Sequence, residues 1–191
     1  MASPEDMAAA VADSLRARTG HSLDEWVRIV QQNSGLDPLN QLAVRRWLRD
    51  VHGIAQNSQW TIAFEVAGRA GWTMPTPQQF ADQMYAGKKQ PLRPLHDALV
   101  AAAEACGLEA HVEGRASYTP IVRARQFAAV GPGPRLTVRL GLRFREAPAG
   151  IEPAKGFAQA THWLHFGADV APDEAVAQAR DFLELAYAQN G

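Results

Sequence analysis

The sequence predicts an α+β protein: a small N-terminal helical bundle followed by an antiparallel sheet with helices on one face. Three observations lead there. Up to about residue 70, apolar side chains recur at helical spacing, interrupted by short turns. Between about 109 and 145 the pattern changes to short strand-like runs broken by Gly and Pro. From Arg135 the run R-L-T-V-R-L-G-L-R-F-R alternates strictly, giving a strand with one apolar and one arginine-lined face. The order helix, helix, meander, strand, helix fits a layer of helices on one side of a sheet, with the other side exposed.

Each element has its own signal. Ser3-Pro4 opens a first helix that Thr19-Gly20 closes. Ser22 with Glu25 three residues on is a capping box, and Leu23, Trp26, Val27 and Val30 form the stripe behind it. A turn at 35–38 leads to a third helix with Leu42, Val44, Trp47 and Leu48. His52-Gly53-Ile54 breaks the chain before a fourth helix with Trp60, Ile62, Ala63, Phe64 and Ala67. Trp26, Trp47 and Trp60 are expected to meet in the core of this bundle. Gly71 to Pro75 is the joint, giving a helical module over 1–72 and an α+β module over 73–191.

In the second module, Thr76-Pro77-Gln78-Gln79 starts a helix ending at Gly87. Another runs from about Pro91 to Cys106, with Leu95, Leu99 and Ala102 inward. Strands are expected at about 109–115, 118–124, 126–131 and 135–145, with Gly131-Pro132-Gly133-Pro134 as the last turn. Leu136, Val138, Leu140, Leu142 and Phe144 should line the buried face of the last one. A connection over 146–160 precedes a strand at about 161–167. Pro172, Asp173 and Glu174 open a final helix carrying Val176, Ala179, Leu183 and Ala186.

Composition narrows the function classes. The formal net charge is -1, residues 1–72 hold seven basic and eight acidic side chains, and residues 73–191 hold twelve of each. Neither half is basic, which argues against a histone-like binder and leaves only a local patch. That patch is the window from Arg115 to Arg145, with seven arginines, no lysine and no acid. No apolar run reaches the roughly 18 residues of a membrane span, and the acidic N-terminus lacks a signal peptide's basic start. Cys106 is the only cysteine, so no intramolecular disulfide or usual zinc knuckle forms, and a cytoplasmic location is the simplest expectation. Abundant arginine and alanine point to a GC-rich bacterial genome.

No constellation of residues reads as catalytic. His162 and His165 are three apart on a strand, so their side chains point to opposite faces and share no metal. No helical H-x-x-x-H or carboxylate pair completes a metal site, and neither a metal nor a cofactor is expected. Cys106 sits at a helix C-terminus, where the dipole disfavours a thiolate. Gly87-Lys88-Lys89 lacks the glycine run of a phosphate loop. Residues 51–58, V-H-G-I-A-Q-N-S, are similar to a helix-hairpin-helix turn, but Ala55 stands where that motif has its second glycine. A plain helix turn with an Asn57 or Ser58 cap explains the same residues.

Two stretches carry a resemblance. T-G-H-S-L-D-E-W (19–26) and R-R-W-L-R-D-V-H-G-I-A-Q-N-S (45–58) resemble a short bacterial helical module, domain of unknown function 4287. M-Y-A-G-K-K (84–89), S-Y-T-P-I-V-R-A-R-Q-F-A-A-V (117–130) and R-L-T-V-R-L-G-L (135–142) resemble the module usually joined to it, domain of unknown function 5655. The resemblance implies the paired bacterial architecture and no particular reaction.

The residues themselves carry the functional expectation. It is a non-enzymatic cytosolic protein whose sheet face binds an anion, either nucleic acid or a phosphorylated or carboxylated small molecule. Arg115, Ser117, Arg123, Arg125, Arg139 and Arg143 form the candidate site, because guanidinium groups grip phosphate and carboxylate through paired donors. A second expectation is self-association of the open face as a homodimer. A third is an enzyme with a site between the modules. The bland alternative is a solvated face whose charges discourage edge pairing.

Overall fold

The structure, a computed structural model, describes residues 14–191. The Ser3-Pro4 helix start lies outside the described residues. The described chain divides into two compact units, one ending at Met74 and the other running from Pro75 to Gly191.

The first unit holds helices α1 (14–19), α2 (Leu23–Asn33), α3 (Gln41–His52) and α4 (Gln56–Arg69). Its boundaries follow from local chemistry. The Ser22 hydroxyl accepts from the Glu25 amide and the Glu25 carboxylate accepts from the Ser22 amide, the reciprocal bonds of a capping box. Those bonds hold the Glu25 carboxyl below its usual range. Asn40 caps α3, and Gly53, at φ 65, ends it in the left-handed conformation that glycine adopts without strain. Val27, Val30, Val44, Leu48, Ile62 and Val66 fill the core around Trp26.

The expected three-tryptophan core does not form. Trp26 is buried and Trp47 packs at the core's edge, but Trp60 is 38% exposed. Ile62, Ala63 and Val66 define the inward stripe of α4, and Trp60 falls on its flank. There it stacks on Phe64, which stacks in turn on Trp72. The Arg45 guanidinium lies 3.4 Å from the Trp60 ring centroid and shields its outer face.

The second unit is α+β. Helix α5 (Pro77–Met84) opens with the Thr76–Gln79 capping box and ends before a 3-10 turn at Gly87–Leu92. Helix α6 (Arg93–Glu104) turns Leu95, Leu99 and Ala103 inward. Six strands follow: β1 (His111–Val112), β2 (Thr119–Val122), β3 (Gln126–Pro132), β4 (Thr137–Leu142), β5 (Glu152–Pro153) and β6 (His162–Gly167). Helix α7 (Pro172–Gln189) closes the chain and buries Ala175, Ala179, Leu183 and Ala186. The sheet order is β1-β2-β3-β4-β6-β5, antiparallel throughout. α6 and α7 cover one face, where Ile121, Val130, Val138, Leu140 and Leu142 meet them.

Three details depart from the sequence expectation. The β3–β4 ladder continues through Gly131 and Pro132, so the turn falls at 133–136. Arg135 and Leu136 adopt φ 52 and 57, which starts the alternating strand two residues late, at Thr137, and leaves Leu136 49% exposed. A β-bulge opposite Val122 lets Phe127 and Ala128, consecutive in sequence, both join the inner core. Beyond these three, the outer face, expected to be open, is partly covered by the 154–160 segment.

Candidate functional site

Strict alternation in β4 sends Val138, Leu140 and Leu142 into the core and turns Thr137, Arg139 and Gly141 outward, with Arg143 following in phase. The ladder fixes their neighbours. Arg139 lies opposite Gly131 on β3 and His165 on β6, and Gly141 lies opposite Ala129 and Trp163. The centre of the outer face is therefore floored by small residues.

Phe157 fills that hollow. It is 5% exposed, and a Cβ added to Gly141 would come within 2.8 Å of its ring. The Arg139 guanidinium lies over the Phe157 ring, and its Nη2 donates to the Pro132 carbonyl at 3.0 Å. Arg143 reaches the same segment, donating from Nη1 to the Gln159 side-chain oxygen at 3.1 Å. Tyr118 packs edge-on against Phe157. Burial of Phe157 on the glycine floor is the physical reason the face is not open.

The six candidate residues do not form one constellation. Arg139 and Arg143 share the outer face. Arg115 approaches it at 5.9 Å from the Tyr118 ring, pairs with Glu113 at 3.5 Å, and has exposed Ser117 nearby. Arg123 is elsewhere: its Nε and Nη2 donate to the Glu109 carboxylate and its Nη1 to the Tyr187 carbonyl in the last turn of α7. It therefore satisfies a carbonyl at the helix C-terminus, where a cation also opposes the dipole. Arg125 stands exposed in the β2–β3 turn.

The outer face gains two residues that arginine counting did not include. His165 is exposed beside Arg139, and Trp163 lies 4.9 Å from His165 between ring centroids. The period-two run of 161–167 carried the signal, because it puts Trp163 and His165 on one face. The register also separates His162, opposite Leu142, from His165, opposite Arg139. Buried Arg139 Nε and Trp163 Nε1 have no hydrogen-bond partner among the described residues.

A second polar cluster escaped the sequence reading altogether. His96 Nε2 lies 3.0 Å from the Thr119 hydroxyl and Nδ1 3.0 Å from an Asp97 oxygen. The order hydroxyl, imidazole, carboxylate is that of a nucleophile, its base and an orienting group. Thr119 is only 3% exposed, however, and lies under α6 where no substrate reaches it. Burial lowers the His96 pKa, against a smaller opposing pull from Asp97, so the imidazole is held neutral. The cluster acts as a polar tie between α6 and β2. Cys106, half-buried between α6 and α7, has its thiol pKa raised by burial and by Glu184, which suppresses the nucleophilic thiolate. Among the described residues no cluster of three metal-ligating side chains occurs, and no helix is long and apolar enough to cross a membrane.

A domain of unknown function, DUF5655, matches residues 81–190. The chain belongs to the DUF5655 family. The DUF5655 match takes in all six sheet strands, the 154–160 segment and all of α7, and leaves the N-terminal helices outside it. No curated protein and no solved structure matches the chain.

Proposed function

We propose that this chain is a non-enzymatic binding protein whose DUF5655 module takes an anionic ligand on the outer face of its sheet. One observation carries the reading. Arg139 and Arg143 are held by neutral acceptors, a backbone carbonyl and an amide oxygen, so no carboxylate compensates their charge among the described residues. Arg115 and Arg123, by contrast, already have acidic partners. A guanidinium positioned but not neutralised is ready for an incoming anion.

Spacing favours an extended ligand. Four residues along a strand separate the Cα atoms of Arg139 and Arg143 by about 13 Å. Their heads are also tethered to different segments, Pro132 and Gln159. Trp163 and His165 beside them offer ring surfaces, and basic side chains interleaved with rings suit a single-stranded nucleic acid. Self-association through the sheet has less support, because Phe157 fills the outer face and both edge strands are two residues long.

The same reading takes the N-terminal helices as a domain of unknown function 4287 module, on residues 19–26 and 45–58, and the source as a bacterial cytoplasm on composition. The test is fluorescence anisotropy with a labelled single-stranded oligonucleotide at low salt. Binding that weakens in both Arg139→Ala and Arg143→Ala supports the proposal. Unchanged binding in both, or none in the native chain, rejects it.

A further inference from the structure

Helix α4 begins without a cap. Its N-cap residue is Ala55, whose side chain makes no hydrogen bond, and the first bond within the helix runs from the Gln59 amide to the Ala55 carbonyl. The amides of Gln56, Asn57 and Ser58 therefore have no partner inside the helix. Asn57 and Ser58, expected as caps, come two and three residues after the cap position. Ser58 is 2% exposed, and its hydroxyl has no hydrogen-bond partner among the described residues. A buried unpaired hydroxyl is costly, so its retention calls for a reason.

Ser58 lines a cavity of about 330 Å³ at this helix end, together with Arg18, His21, Trp26, His52 and Ala55. Among the described residues no carboxylate lines it. Glu25, on the neighbouring helix, is engaged by the Ser22 amide, and Asp50 pairs with Arg49. Trp26 stands edge-on between His21 and His52, at 5.2 and 5.1 Å between ring centroids, and this trio makes a rigid aromatic wall. The Trp26 indole N–H is already taken by the Thr19 hydroxyl.

We infer that this cavity binds the phosphoryl group of a small molecule. The cavity sits at the uncapped, positive end of a 14-residue helix, and Ala55, Ser58 with its unpaired hydroxyl, and Arg18 are among its lining residues. That many donors suits the three acceptor oxygens of a phosphoryl group better than the two of a carboxylate. A cavity of this size lies at the small end of metabolite sites, and its aromatic wall accepts the organic part of such a ligand. The site belongs to the first unit and the sheet face to the second, and the two readings stand or fall independently.

The experiment titrates the full-length, isotope-labelled chain with inorganic phosphate at constant ionic strength, following backbone amides by NMR. The amides of Gln56, Asn57 and Ser58 are expected to shift together and saturate. Ala55→Asp supplies the missing cap from the chain itself. It should raise the melting temperature and weaken phosphate binding about tenfold or more, because it occupies the same amides. Ser58→Ala should melt no lower than the native protein without phosphate and lose most of the phosphate-dependent rise in melting temperature. Amides that stay still, or that move equally in Ala55→Asp, overturn the inference. A single-stranded oligonucleotide in place of phosphate that shifts these same amides would overturn the small-molecule assignment.

Discussion

The Arg139 guanidinium lies 4.3 Å from the centroid of the Phe157 ring, joining the arginine of a central strand to a residue of the connection 154–160. The contact makes Phe157 both a roof over Gly141 and a platform for the charge. Phe157→Ala should cost about 3–5 kcal/mol, the usual range for a buried phenylalanine, and open the connection to proteases. Thermal melts and limited proteolysis read the two effects. A variant as stable and as resistant as the native chain would show that the segment does not pack there.

The arginines divide into two groups with opposite mutational signatures. Arg139→Ala and Arg143→Ala should each flatten the salt dependence of single-strand binding, by about 0.7 in the slope of log K against log salt. Arg123→Ala should leave that slope unchanged and lower the melting temperature, because it unties Glu109 and the end of α7. Binding isotherms at several salt concentrations, beside melts, separate them. The grouping is wrong if Arg123→Ala flattens the slope as much as the other two.

Leu140 and Leu136 alternate in sequence but not in surroundings. Leu140→Ala should cost about 2–5 kcal/mol, since Leu140 is fully buried, whereas Leu136→Ala should be nearly neutral. Leu136→Gly should stabilise by about 1 kcal/mol, because glycine relieves the positive φ at that turn position. Chemical denaturation of the three variants is the check. A destabilised Leu136→Gly would mean that the turn is not left-handed there.

How far the sequence could be read depended on whether local chemistry decided each feature. The Ser22 and Thr76 capping boxes, the Gly53 stop and the apolar face of 138–144 all follow from residues close in the chain, and all were legible. Trp60 was misplaced because an aromatic residue satisfies either a core position or a stacked surface position. Arg135 and Leu136 continued the alternating pattern perfectly, and only the backbone turn ended it. The site suffered most. Arg123 and Glu109 are 14 residues apart and Arg123 and Tyr187 are 64 apart, separations at which no spacing rule operates. Phe157 lay in a stretch whose glycine and proline content announced only a loop.

Acid should weaken the second unit through His96. Its folded pKa is depressed by burial, so stability is fully present above an imidazole's ordinary 6.5. As the pH falls below that value the unfolded chain takes a proton that the folded chain refuses, and stability declines by at most about 1.4 kcal/mol per pH unit. His96→Leu should show a shallower fall between pH 7 and pH 5 in melting experiments. Parallel curves for the two proteins would place the acid sensitivity elsewhere.

The placement of β6 between β4 and β5 has a consequence for how the chain is made. β4 borders β3 on one side, and its other side finds a partner only when residues 162–167 arrive. During synthesis the row of backbone donors and acceptors from Thr137 to Leu142 therefore waits unpaired while the intervening segment emerges from the ribosome. A chain released early, before Thr161, retains a raw strand border able to recruit β4 from a second truncated copy. Residues 162–167 thus close the open border of the sheet as well as adding to it.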